Sequence, residues 1–225
     1  MSIDTTVRFF QDGGIFMFPI GAILIVGFAI VAERFIFLAS AKKANREMFE
    51  RILPMLQKRD YQGALNTGRT SEAPVARIIT AGLLRMAQSS RREDIESAME
   101  EGVMEAVPRL ERRTGYLATL ANVATLLGLL GTIAGLSDAF SAVANADPSE
   151  KAALLSASIA VAMNATAFGL FVAIPLLLSH SMIQSRTMQI IDSLEMAGVK
   201  CLNILTSSQD ALAKQQRTDA GAAKQ

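Results

Sequence analysis

Residues 114–137 and 152–185 contain no Asp, Glu, Lys or Arg, so apart from His180 the chemistry open to them falls to hydroxyls and a few amides. Thr125 and Thr132, seven residues apart, mark a polar line along "ATLLGLLGTIAGLSDAF", and Asp138 stands near its end. The later apolar run, "SASIAVAMNATAFGLFVAIPLLL", carries Ser156, Ser158, Asn164 and Thr166. A hydroxyl titrates nowhere near neutral pH, but it donates and accepts hydrogen bonds and ligates hard cations through oxygen. A single threonine can turn its hydroxyl onto its own i−4 carbonyl, so each alone carries little information. An amide such as Asn164 in mid-segment costs more and needs another helix or water as partner. Polar lines on two successive apolar segments point to a surface facing something other than lipid. Asp138 reads as a solvated cap at a membrane boundary, or more sharply as a cation-attracting group at a mouth.

Gly128, Gly131 and Gly135 fall at i, i+3 and i+7 and share one helix face. In lipid, apolar burial gives no net drive between helices, and small residues let backbones approach and pack. The glycines therefore define a helix-packing face, expected to bury against a neighbouring helix.

The elements that hold these residues follow from where charge is missing. Of 225 residues, 51% are hydrophobic and only 19% charged, with a mean hydropathy of +0.32. The charge gaps are residues 13–32, 114–137 and 152–185, with His180 the only titratable group inside the last. A bilayer core about 30 Å thick needs about 20 apolar residues of helix, and each gap is long enough. The first run, "GGIFMFPIGAILIVGFAIVA", is preceded by one basic residue, Arg8, and followed by bulky "ERFIFL" rather than a small-residue cleavage site. It is expected to be a span and not a cleaved signal.

Arg34, Lys42, Lys43 and Arg46 follow span one, Arg109, Arg112 and Arg113 precede span two, and Arg186 and Lys200 follow span three. The other side has only Arg8 and Lys151. Positive residues mark the cytoplasmic side, so the N-terminus and the short loop face out and the C-terminus faces in. The expected fold is an all-α integral membrane protein with three transmembrane helices and a helical cytoplasmic domain, its second and third transmembrane helices long and extending into the cytoplasm. The expected segments are a periplasmic N-terminus (1–12), span one (13–38), a cytoplasmic helical domain (39–113), span two (114–144), a periplasmic loop (145–151), span three (152–181), a cytoplasmic helix (182–205) and a flexible tail (206–225).

Within 39–113, "ANREMFERILPMLQ" puts Met48, Ile52, Met55 and Leu56 on one stripe, with Pro54 expected to bend it. "EAPVARIITAGLLRMAQ" starts with proline in its first turn, and the next helix opens with Ser90 and Asp94 near its first turn. The charges of that helix read as a solvated face. With one histidine, one cysteine (Cys201), no Gly-rich phosphate loop, no metal-spaced cluster and no nucleophile–base pair, neither an enzyme nor a bound metal or cofactor is expected. No basic–aromatic patch predicts nucleic acid as a partner.

At these residues the chain resembles the ExbB/TolQ/MotA family of proton- or sodium-driven motor subunits. The likeness covers about Ile15 to Leu205 and includes "ERFIFL", "LERRTGYLATLANVATLLGLLGTIAGL" and "SIAVAMNATAFGLFVAIPLLL". "GLLGT" and "ATAFGLFVAIP" are its most specific pieces. Three spans with an outside N-terminus are similar to ExbB and TolQ, whereas flagellar MotA-type subunits have four. The resemblance implies a bacterial inner-membrane homopentamer around a pore holding two copies of an ExbD/TolR-like single-span chain whose aspartate carries the ion. It further implies a TonB-like protein as a possible partner. It also implies pore threonines at Thr132 and Thr166. ExbB and TolQ have a glutamate in span three, in "GIAEAL", where this chain has Val161. Valine there is more similar to flagellar- and sodium-type members, and the oxygen-only ligand chemistry leans toward Na⁺ over H⁺. A flagellar or gliding stator and a non-conducting scaffold are the alternative readings. A secondary transporter would require an intramembrane charge or inverted repeats.

Overall fold

In the computed structural model, the backbone is described for residues 14–89, 91–144 and 146–222, and side chains to Ser207. Among these residues the chain is all-helical: α1 (Met17–Gln57), α2 (Tyr61–Arg69), α3 (Pro74–Gln88), α4 (Arg92–Glu111), α5 (Thr114–Ala144) and α6 (Lys151–Ala222). Stretches within α1, α4–α5 and α6 are long and apolar enough to cross a membrane. The periplasmic N-terminus expected over 1–12 lies outside the described residues, as does Ser90.

The chain divides into two compact units, one of residues 1–35 with 113–184 and the other of residues 36–112 with 185–225. The first contains the three charge gaps. Its core is a set of small and branched side chains: Leu117, Ala121 and Ala124 of α5, and Ala162, Ala165, Phe168, Val172, Ala173 and Leu176 of α6, all buried. Outward-facing Leu126, Leu129, Ile133 and Phe140 on α5, and Met163, Phe171, Ile174 and Leu178 on α6, are more than half exposed. Such faces require lipid or further protein against them.

In the second unit, Ile52 and Leu56 of α1, Ile78 and Ile79 of α3, Ile95 and Met99 of α4, and Leu194, Cys201 and Leu205 of α6 are buried. The turns obey local rules. The Asp60 carboxylate accepts from the Gly63 N–H at 2.9 Å, capping α2. α3 has no cap side chain of its own next to Pro74; instead the buried Asn45 of α1 reaches across, its Oδ1 accepting from the Val75 N–H at 3.1 Å. At the start of α4 the hydroxyl bonded to Asp94 belongs to Ser89, at 2.5 Å. The solvated face expected there also makes contacts: Glu105 takes Arg77 at 3.2 Å and Arg109 at 3.4 Å, and Arg92 donates to Asn203 at 2.9 Å.

The helical run Arg92–Ala144 is interrupted at one point: α4 ends at Glu111, and Arg113 takes a left-handed φ of 64° before α5 begins. A non-glycine residue in that region costs free energy and marks a deliberate break. Beyond residue 206 the backbone is helical to Ala222, where "DALAKQQ" is composed mainly of strong helix formers.

Asn45→Leu removes the acceptor that holds the first turn of α3 and leaves a buried N–H unpaired. It should lower the stability of the purified protein in detergent by about 1 kcal/mol, read from the denaturation midpoint. An unchanged midpoint would mean that α3 does not depend on α1 for its cap.

Candidate functional site

The pairing of α5 with α6 sets where every polar group of the spans lies. A Cβ built on Gly169 would stand 2.7 Å from the Ala124 carbonyl oxygen, and one on Gly128 would stand 3.1 Å from the Ala165 oxygen and the Thr166 Cα. Further along, Cβ atoms on Gly131 and Gly135 would meet the methyls of Ala165 at 2.7 Å and Ala162 at 2.9 Å. The sequence-identified glycine face therefore meets a helix of the same chain. Its counterpart, Ala162, Ala165 and Gly169 on α6, was missed in the sequence, although the spacing of three and four small residues is its signal.

This close approach brings Thr166 to the α5 backbone, and its Oγ1 donates to the Gly128 carbonyl at 2.9 Å. Thr132 Oγ1 donates to the Leu129 carbonyl of its own helix at 2.6 Å, and Thr125 Oγ1 to that of Ala121 at 3.1 Å. From the contacts 131 with 165 and 135 with 162, Thr132 lies level with the turn containing Asn164. Thr166 lies two residues past Asn164 on α6, about 3 Å of rise from the level of Thr132. Thr132, Asn164 and Thr166 are each half-buried. Asp138 is exposed, six residues beyond Thr132 on α5, or about 9 Å of rise.

Val161 is half-buried, and its Cγ1 lies 3.6 Å from where a Cβ on Gly14 would be. Gly14 has a φ of +77°, a conformation that glycine takes without strain, and it leads the chain into α1. The position is thus packed against the entrance to α1. Phe16 reaches the Gly131 site and Leu176 packs over Gly27, so α1 lies against both other spans. Near the middle of α1, just past its charge-free stretch, Glu33 pairs with Arg113 at 3.5 Å, both about half exposed, and Arg34 is buried.

Chemically, the site offers oxygen lone pairs. Because the Thr132 and Thr166 protons are already directed at carbonyls, each hydroxyl oxygen presents itself as an acceptor. It can take a hydrogen bond from a protonated carboxyl or ligate a cation; it has no second proton for a carboxylate. The charge-free stretches 114–137 and 152–185 contribute no acid of their own.

Apolar spans locked backbone to backbone define an integral membrane protein. The family model of the MotA/TolQ/ExbB proton channel family matches residues 70–196, more than half of the chain. The chain belongs to that family. It is 31% identical over 194 residues to an ExbB homologue, described as a biopolymer transport protein, of Methanothermobacter thermautotrophicus, covering 85% of this chain and 67% of that one. It is 28% identical over 171 residues to the Tol-Pal system protein TolQ of Haemophilus influenzae, covering 72% and 75%. It is 34% identical over 112 residues to the biopolymer transport protein ExbB of Salmonella typhimurium, covering 44% and 46%.

Gly169→Ala should cost about 1–3 kcal/mol by overpacking, since the obstructing atom is a backbone oxygen that cannot rotate away. Gly115→Ala, on the same helix pair but with nothing within 4 Å, should be neutral or slightly stabilising. Thermal melts of both variants in one detergent decide; equal melting points would contradict the seam.

Proposed function

We propose that this chain is the pore-forming subunit of an inner-membrane motor driven by ion-motive force, five copies surrounding two ExbD/TolR-like helices. One observation carries the reading: the stretches 114–137 and 152–185 supply hydroxyls and glycines in a fixed register but no ionisable acid, so the travelling charge comes from another chain. The N-terminus faces the periplasm and the C-terminus the cytoplasm, from the asymmetry of Lys and Arg.

A carboxylate on a partner helix in low dielectric strongly prefers to be neutral, and it moves through the pore only when protonated or paired with a cation. Thr132 and Thr166 would receive it at two neighbouring depths about 3 Å apart, with Asn164 level with the first. Each charge crossing down the gradient is worth about 2.3 kcal/mol per 100 mV. Repeated neutralisation and release, with five subunits unable to satisfy two helices equally, would turn or rock one part against the other. The partner's periplasmic domain would deliver that work, for example to TonB-dependent transport. Asp138, exposed beyond the threonines, would raise the cation concentration at the outer mouth.

We assign the proton as the driving ion. The description of the family as proton channels supports it, as does the fit of acceptor-only hydroxyls to a protonated carboxyl. Sodium is the second reading, favoured by Val161 in place of a glutamate and by oxygen ligands suited to a hard cation.

In vesicles containing the chain and its partner, a protonophore at constant sodium gradient should abolish motor-coupled activity. A sodium ionophore at constant proton gradient should leave it intact; the reverse pattern would establish sodium. Thr166→Ser, which keeps the hydroxyl, should retain ion flux, whereas Thr166→Val should lose at least tenfold. Loss of the interhelical hydrogen bond costs stability of only about 0.6 kcal/mol, so the assembled Thr166→Val protein remains available for the measurement.

A further inference from the structure

Outside the spans, α4 and α6 enclose an open groove of about 430 Å³ in the second unit. Its floor is apolar and soft: Met99 and Leu202 are buried beneath it, while Met104 and Val199 stand 71% and 53% exposed along it. Glu96 and Glu100 line one bank on α4 and Glu195 the other on α6, and among the described residues none that lines the groove is basic. Neither do these three carboxylates pair with a cation elsewhere among the described residues; the acids that do are Glu33, Glu47, Glu50, Glu93 and Glu105. Exposed methionine, unpaired carboxylates and an open trough together leave apolar surface and negative charge without a partner.

Each feature restricts the occupant. Methionine side chains are flexible and polarizable and adapt to irregular apolar surfaces, which suits a peptide more than one rigid ligand. Glu96 and Glu100 are four residues apart on one helix, about 6 Å along its axis, the spacing of successive Lys or Arg residues on a facing helix. With Glu195 across the trough, negative charge flanks both sides of an apolar strip. The complement is a helix with an apolar stripe and basic residues on both flanks.

We infer that this groove is a docking site for a basic amphipathic helix of a partner protein, distinct from the ion path through the spans. The helix lays Leu- or Ile-like side chains over Met104 and Val199 and sets Lys or Arg residues against Glu96, Glu100 and Glu195. Charge reversal of the occupant abolishes the fit, since a facing carboxylate would meet three others.

The test uses full-length protein assembled in phosphatidylcholine nanodiscs and carrying Val199→Cys. The native Cys201 is buried, and burial pushes its thiol up to about 12, so it stays protonated and unreactive near neutral pH while Val199→Cys supplies the reactive thiol. The probe is an 18-residue Leu/Lys amphipathic helix, with the matching Leu/Glu helix as control and empty nanodiscs to account for lipid binding. The Leu/Lys helix should slow maleimide labelling of Val199→Cys at least fivefold, and the Leu/Glu helix should not. Adding Glu96→Gln, Glu100→Gln and Glu195→Gln should raise the Leu/Lys concentration needed for protection at least tenfold. Three results overturn the proposal: equal protection by both peptides or none by either, no effect of the three Gln substitutions, or a thiol already protected before peptide is added. The last would show that a second copy of the chain covers the groove.

Discussion

Two backbones approach so closely at Gly128 and Gly169 that a methyl group would meet the Ala124 oxygen at 2.7 Å on Gly169 and backbone atoms of α6 at 3.1 Å on Gly128. In lipid this contact cannot rest on a hydrophobic drive, because the tails are as apolar as leucine; van der Waals packing and interhelical hydrogen bonds must hold it. The Thr166 hydroxyl on the Gly128 carbonyl is that hydrogen bond, and it exists only because the missing side chains let the helices meet. Once the contact is made, the register of α5 against α6 is fixed: 124 with 169, 131 with 165, 135 with 162.

Register then decides chemistry. It places Thr132 level with Asn164 and Thr166 two residues further along α6, and it turns the Thr166 proton onto the Gly128 carbonyl, while the Thr132 proton is taken by the Leu129 carbonyl of its own helix. What remains is acceptor oxygen in a segment without acids, a surface suited to receiving a neutral carboxyl or a partly dehydrated cation. In the proposed mechanism the labour is divided: this chain supplies the shell and the fixed geometry, and a partner supplies the group whose charge changes. A valine packed against Gly14, just ahead of α1, adds no charge and fits that division.

Much of this was legible in the sequence because it is local. Charge gaps mark spans, glycines at i, i+3 and i+7 mark a packing face, and a proline in a first turn marks the start of α3. The family likeness was visible in "GLLGT" and "ATAFGLFVAIP" and agrees with the family match over residues 70–196. Relations between segments were not legible. Nothing around Asn45 announces that it caps a helix thirty residues away, and nothing around Gly169 announces that Ala124 is its neighbour. The break at Arg113 escaped for a different reason: a left-handed arginine has no propensity signal, and only the surrounding structure imposes it. The helical continuation to Ala222 was hidden by polarity, which describes solvation and not backbone conformation.

The central claim is that this chain provides the pathway and not the charge. Proton flux into vesicles holding the chain alone, compared with vesicles also holding an ExbD/TolR-like partner, tests it most directly. The account predicts no flux above empty vesicles for the chain alone, flux with the partner, and loss of that flux when the partner's intramembrane aspartate is changed to asparagine. Equal flux with and without the partner, or flux that survives the asparagine change, would contradict it.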